Sequence, residues 1–193
     1  MSVALIVAIV LVVAIGLFVL LTYNRLTRLR LACENSWAQI DVALKLRHDL
    51  VRALVETVSG YATHERSTFE RTAEARGAAV AAADEGPARR GPIEGTLAQG
   101  ITRLLAVAEA YPELRASENF MALQKDLASV EERISITRRV YNDTVETLNT
   151  AVAVFPSNLA ASAFGFESRA FFVAEAEAAV APAVELPAGG PDR

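Results

Sequence analysis

The chain has 193 residues, 52% of them hydrophobic and 22% charged, with a formal net charge of −4. That acidic balance excludes nucleic acid as the main partner, because phosphate binding needs an excess of Lys and Arg. A single Cys excludes an internal disulfide framework.

The first element is apolar. Val3 to Leu21 are nineteen consecutive residues without charge or Pro, and fifteen of them are Val, Leu, Ile or Phe. As a helix the run covers roughly 28 Å, close to the hydrocarbon thickness of a bilayer. It has no polar face, which a buried core helix normally keeps. A cleaved signal peptide would show a basic n-region and a small-x-small cleavage site. Only Met1 and Ser2 precede the run, and Thr22-Tyr23-Asn24-Arg25 follow it. The segment is therefore expected to stay as a transmembrane anchor. Arg25, Arg28 and Arg30 flank it on one side only. The positive-inside rule then predicts a single-pass protein of the cell membrane, N-terminus outside and the rest cytoplasmic.

The remaining chain reads as helical. Leu26, Leu29, Cys33, Trp37, Ile40, Leu44, Val51, Leu54, Val55 and Val58 recur at helical spacing and form one apolar stripe. Ser59-Gly60 weakens that helix. A second helix is predicted from Ala62 to Ala83. The stretch Asp84 to Gly95, with two Pro and three Gly, reads as a loop. A third helix is predicted from Ile93 to Ala110 and ends at Tyr111-Pro112. The fourth carries a long seam from Phe120 through Leu127, Ile134, Tyr141, Val145 and Val152 to Phe155, with Ser117 as its N-cap. From Val173 onward the chain is Ala, Glu, Pro and Gly and is expected to be disordered.

Two long and two short helices suit an antiparallel up-and-down four-helix bundle, with a reversal near Gly60. A long hairpin that only kinks at Gly60 and Pro112 is the rival. The predicted division is an anchor at 3–21, a bundle at 24–166, and a C-terminal segment with a disordered tail at 167–193.

The motifs of chemistry are missing. No glycine-rich phosphate cradle and no Gly-x-Ser-x-Gly elbow occurs. His64-Glu65 starts like a zincin motif, but Thr68 stands where the second His belongs. Lys45 and Tyr61 stand three residues before His48 and His64, where a di-iron bundle needs Glu. Catalytic, cofactor-binding and metal residues are therefore assigned to none, and no cofactor is expected. His48-Asp49 reads as a solvated polar face. The Phe-rich end of the chain stands out instead. Phe164, Phe166, Phe171 and Phe172 form the candidate interaction surface, facing lipid or a membrane protein partner, or else closing the end of the bundle.

Several stretches in combination resemble the LemA family of bacterial membrane proteins, across about residues 3–172. They are Tyr23-Asn24-Arg25-Leu26, Trp37-Ala38-Gln39-Ile40-Asp41-Val42, Arg47-His48-Asp49-Leu50, Gly60-Tyr61 with His64-Glu65, Leu104 through Pro112, Ser117-Glu118-Asn119-Phe120, Arg138-Arg139-x-Tyr141-Asn142, Phe155-Pro156-Ser157-Asn158 and Phe164-Gly165-Phe166. The resemblance implies a four-helix bundle on an N-terminal anchor, and no established enzymatic activity. The chain departs from the family pattern at Arg52-Ala53, where members often carry Pro-Asn. The expected function is a non-enzymatic, membrane-tethered scaffold or adaptor at the cell envelope. The alternatives are a self-assembling, homo-oligomeric structural module and an enzyme with an unrecognised site.

Overall fold

The computed structural model describes residues 2–62 and 65–173. Their regular structure is all helical, with no strand among the described residues. The tail at 174–193 and His64 lie outside the described residues. The apolar run and the first amphipathic stripe form one helix, α1, Val3–Ser59, of 57 residues. Its apolar window has a mean hydropathy of 3.4, long and apolar enough to cross a membrane, and none of it is buried by the rest of the chain. Leu26, Cys33, Ile40, Leu44, Val51, Leu54 and Val58 are buried, as the stripe predicts.

After Gly60 the chain turns back. Helix α2, Arg66–Ala81, lies along the distal part of α1, where Arg76 Nε donates to the His48 carbonyl at 2.7 Å. Helix α3, Pro87–Glu109, pairs with α2, with Thr72 against Gly100. A four-residue turn of helix, α4, Pro112–Arg115, leads to α5, Glu118–Ala153. Ser117 occupies the N-cap position of α5 but makes no side-chain capping bond. Along α1, α5 runs antiparallel: Asn119 reaches Thr57, Glu131 reaches Arg47, and Thr144 meets Ser36. Helix α6, Ser157–Ala163, returns against α1.

One local reading is corrected. The stretch Asp84 to Gly95 is not a loop, because α3 begins at Pro87 and carries Pro92 inside it. Pro87 sits in the first turn, where a missing N–H costs nothing. Arg90 and Glu94 lie one turn apart, both point into the core, and both are held by buried ion pairs. Gly91 permits a close crossing, since a Cβ there would stand 2.2 Å from the Val173 carbonyl oxygen.

The core changes partners along the axis. At the distal end Val51, Leu54, Leu97, Leu104, Leu114, Phe120 and Leu127 bring α1, α3, α4 and α5 together, with Phe69 from α2. In the middle, Cys33, Ile40, Leu44, Ile134, Tyr141 and Val145 are joined by Phe172 from the C-terminal segment. At the base Leu26 packs with Ala151, Ala161 and Phe166. Gly165 makes that last contact possible. Its φ of +70° is a left-handed turn past α6, and Phe166 N then donates to Ala161 O at 2.9 Å.

Candidate functional site

The stripe on α1 leaves a gap between Leu44 and Val51. Helical spacing requires core positions three and four residues past Leu44, and Arg47 and His48 occupy them. Both are buried. Opposite them on α3 stands Glu94, 2% exposed. Its carboxylate accepts a charged hydrogen bond from Arg47 Nη2, and His48 Nε2 lies 3.0 Å from Oε1. Arg47 Nη1 also reaches Glu131 of α5 at 3.2 Å. One guanidinium thus ties α1 to α3 and α5.

A second cation extends the network. Arg90 is fully buried, donates to Asp41 at 2.8 Å and to the Ala83 carbonyl at 3.0 Å, and places Nε 3.5 Å from Glu94. Its guanidinium lies over the Trp37 ring, 5.7 Å from the centroid. Among the described residues, Arg90 Nη2 and Arg47 Nε find no hydrogen-bond partner.

The electrostatics follow from this enclosure. Burial pushes the Glu94 carboxyl up. The His48 hydrogen bond and the Arg47 guanidinium outweigh that penalty and hold it below its ordinary value of 4.5. Asp41 behaves alike: burial raises it, and Lys45 and Arg90 hold it below 3.8. A carboxylate so stabilised is a weak base. Such a network suits fixing the register of three helices more than moving protons.

Beside the network lies an open cleft of about 140 Å3, lined by Leu44, Arg47, Glu94, Glu131, Ile134, Ser135, Arg138 and Phe172. Among the described residues, no three His, Cys, Asp or Glu gather in a way that could hold a metal ion. Glu56 is exposed and stands apart from the network.

The four predicted surface phenylalanines divide into two pairs. Phe166 and Phe172 are buried; Phe164 and Phe171 are half exposed. Phe164 and Phe166 both meet Tyr23 edge-on, at 5.1 and 5.7 Å, and Arg30 lies over Phe166. Phe172 packs on Trp37, which also meets Tyr141, each at 5.4 Å. The backbone around Phe172 is held by α5. Asn142 exchanges a pair of hydrogen bonds with Phe172, Asn149 does so with Arg169, and Tyr141 donates to the Ala170 carbonyl at 2.8 Å.

The family described as the LemA family matches residues 36–186, a span that takes in α1 from the core outward, the ion network and the clasped C-terminal segment. The chain belongs to the LemA family. Curated relatives lie further off. Magnetosome proteins MamQ 1 and MamQ 2 of Paramagnetospirillum magneticum are each 25% identical over 185 residues, covering 83% of this chain and 68% of theirs. Magnetosome protein MamQ of Magnetospirillum gryphiswaldense is 23% identical over 177 residues, covering 79% and 65%. In this LemA-family chain, the Arg47-His48 pair noted as part of the family pattern is a buried element of the core. Arg90 and Glu94 escaped sequence reading because they lie in the Pro- and Gly-rich stretch. The seven-residue gap in the α1 stripe was the available signal.

Proposed function

We propose that this LemA-family protein is a non-enzymatic scaffold or adaptor, tethered by residues 3–21 and built as an up-and-down four-helix bundle over 24–166. One observation carries the reading. Helix α1 passes without a break from a run long and apolar enough to cross a membrane into the centre of the folded core. A domain joined through a continuous helix is held at a set height and angle above the bilayer, which serves positioning. The ionisable groups of the core favour the same reading, since Glu94 is occupied by Arg47 and His48 and Arg90 by Asp41. Neither the family description nor the relatives' names state an enzymatic activity. The three arginines after the run favour a cytoplasmic bundle with the N-terminus outside. Phe164 and Phe171, exposed beside buried Phe166 and Phe172 in the chain, offer the surface for lipid or a membrane protein partner.

Two measurements test this. A C-terminal reporter that is active only outside the membrane should stay silent, and a strong signal overturns the orientation. His48→Gln and Glu94→Gln should lower stability together with cellular function. A variant that folds like the parent but loses function would place chemistry at the network instead. Homo-oligomeric assembly is the second reading. It is favoured by two exposed apolar pairs one turn apart, Val42 with Leu46 on α1 and Ile136 with Val140 on α5. Chemical crosslinking between copies that Leu46→Glu abolishes would support it over a monomer.

A further inference from the structure

The corner between α5 and α6 carries apolar residues that none of the other described residues covers. Phe155 is 77% exposed and Leu159 63%, with Val154 and Phe164 about half exposed. Scattered apolar residues on a surface are ordinary, whereas several gathered at one end mark a contact. The whole stretch from Thr147 to Phe166 contains no charged residue.

Its place in the fold gives the reason. Leu26 packs against Ala151 and Ala161, so the end of α5 and the middle of α6 flank α1 just past the apolar run. Thr22 is buried, and Phe164 meets Tyr23. The antiparallel pairing that sets Thr144 beside Ser36 and Ala151 beside Leu26 brings Ala153, the last residue of α5, level with about Asn24, and the corner with Phe155 follows it. Thr22 is the first residue after the apolar run. Arg25 and Arg28, both exposed, stand about one and two turns further from the membrane. The order along the axis is an apolar band, an aromatic level, then cations. This is the order of an interfacial element.

We propose that the α5–α6 corner is a second membrane contact. Phe155, Leu159 and Phe164 enter the headgroup–acyl boundary of the leaflet that α1 leaves, and Arg25 and Arg28 meet anionic phospholipid headgroups. The occupant of this surface is the bilayer itself, because the surface adjoins the end of the apolar run, where Phe164 meets Tyr23 and Ala161 meets Leu26. The inference rests on the reading of residues 3–21 as the anchor. It adds that the base of the folded domain is held against the membrane, rather than only threaded to it.

The test uses the full chain in vesicles of phosphatidylcholine with a minority of phosphatidylglycerol. In a Cys33→Ala background, single labelling sites are made by Leu159→Cys, Met121→Cys and Leu11→Cys. Each carries an environment-sensitive fluorophore, and the lipids carry bromine at shallow or deep acyl positions. The Leu159→Cys probe should be quenched several-fold more strongly by shallow bromines than the Met121→Cys probe at the distal end. The Leu11→Cys probe should be quenched by deep bromines. Phe155→Glu, or the omission of phosphatidylglycerol, should weaken quenching at 159 and leave position 11 unchanged. If position 11 is quenched and position 159 behaves like 121, the corner faces water and the inference fails while the anchor stands. If position 11 is not quenched, the anchor reading fails first. Shielding at 159 without lipid quenching, together with crosslinking between copies there, would assign the surface to a second copy and overturn the proposal.

Discussion

Replacing Glu94 by Gln keeps the shape of the side chain and removes its charge. In the native network that charge faces Arg47 and His48 directly, with Arg90 Nε at 3.5 Å. Removing one member of a buried ion pair typically costs about 3–5 kcal/mol. The lower end applies here, because Arg47 keeps Glu131 and Arg90 keeps Asp41. About 3 kcal/mol in a domain of this size lowers the melting temperature by roughly 6–12 °C. The loss should also depend on pH. The folded-state carboxyl of Glu94 titrates below its ordinary 4.5, so the unfolded chain binds more protons between the two values. Its contribution is complete above about pH 4.5 and is lost as pH falls through the folded value. Thermal unfolding of the full chain in detergent, followed by circular dichroism, should therefore show a wide gap between parent and Glu94→Gln at neutral pH. The gap should narrow on acidification below 4.5. The acid response of Asp41 is common to both proteins and cancels in the comparison. A neutral-pH loss under about 1 kcal/mol, or a gap that does not change with acid, would refute the account of the network.

Gly91→Ala drives a methyl group toward the Val173 carbonyl oxygen, so the C-terminal segment must shift, at a cost of about 1–3 kcal/mol. Because Phe172 then leaves the single tryptophan, Trp37 emission should move to the red, and an unchanged spectrum refutes the crossing. Trp37→Ala removes contacts to Tyr141, Phe172 and Arg90 and should cost about 3 kcal/mol by denaturant unfolding, with a loss under about 1 kcal/mol as the refuting result. Burial pushes the Tyr141 phenol up to about 12. Its neutral form therefore stabilises the fold below pH 10, and that contribution is lost as pH rises toward 12. An absorbance titration should resolve one late phenolate, absent in Tyr141→Phe.

Periodicity made most of the fold legible. The stripe on α1 and the seam on α5 are strong because each side chain three or four residues on meets the same neighbour. What misled was composition. Two Pro and three Gly between residues 84 and 95 read as a loop, yet α3 tolerates Pro87 in its first turn, and Gly91 lets the C-terminal backbone approach. Local propensity yields there to tertiary contacts. His48 read as solvated because its partner, Glu94, lies 46 residues away in that same misread stretch. No local rule couples the two. Phe172 was similarly half legible. Its apolar character marked it as notable, but its burial depends on backbone hydrogen bonds from Asn142 that sequence spacing does not reveal.

The continuity of α1 has a geometric consequence. Its 38 residues from Thr22 to Ser59 span roughly 57 Å along the axis. With the apolar run in the bilayer, the distal tip near Gly60 stands up to that far from the lipid, and no swivel joins it to the membrane. The domain then behaves as a mast. Faces on the shaft meet neighbours that slide in the same bilayer, where confinement to two dimensions raises the rate of encounter. The tip meets molecules that come from solution or reach up an equal height. A binding partner can accordingly be sorted by altitude before it is identified, by asking at which level of α1 its contact protects the helix.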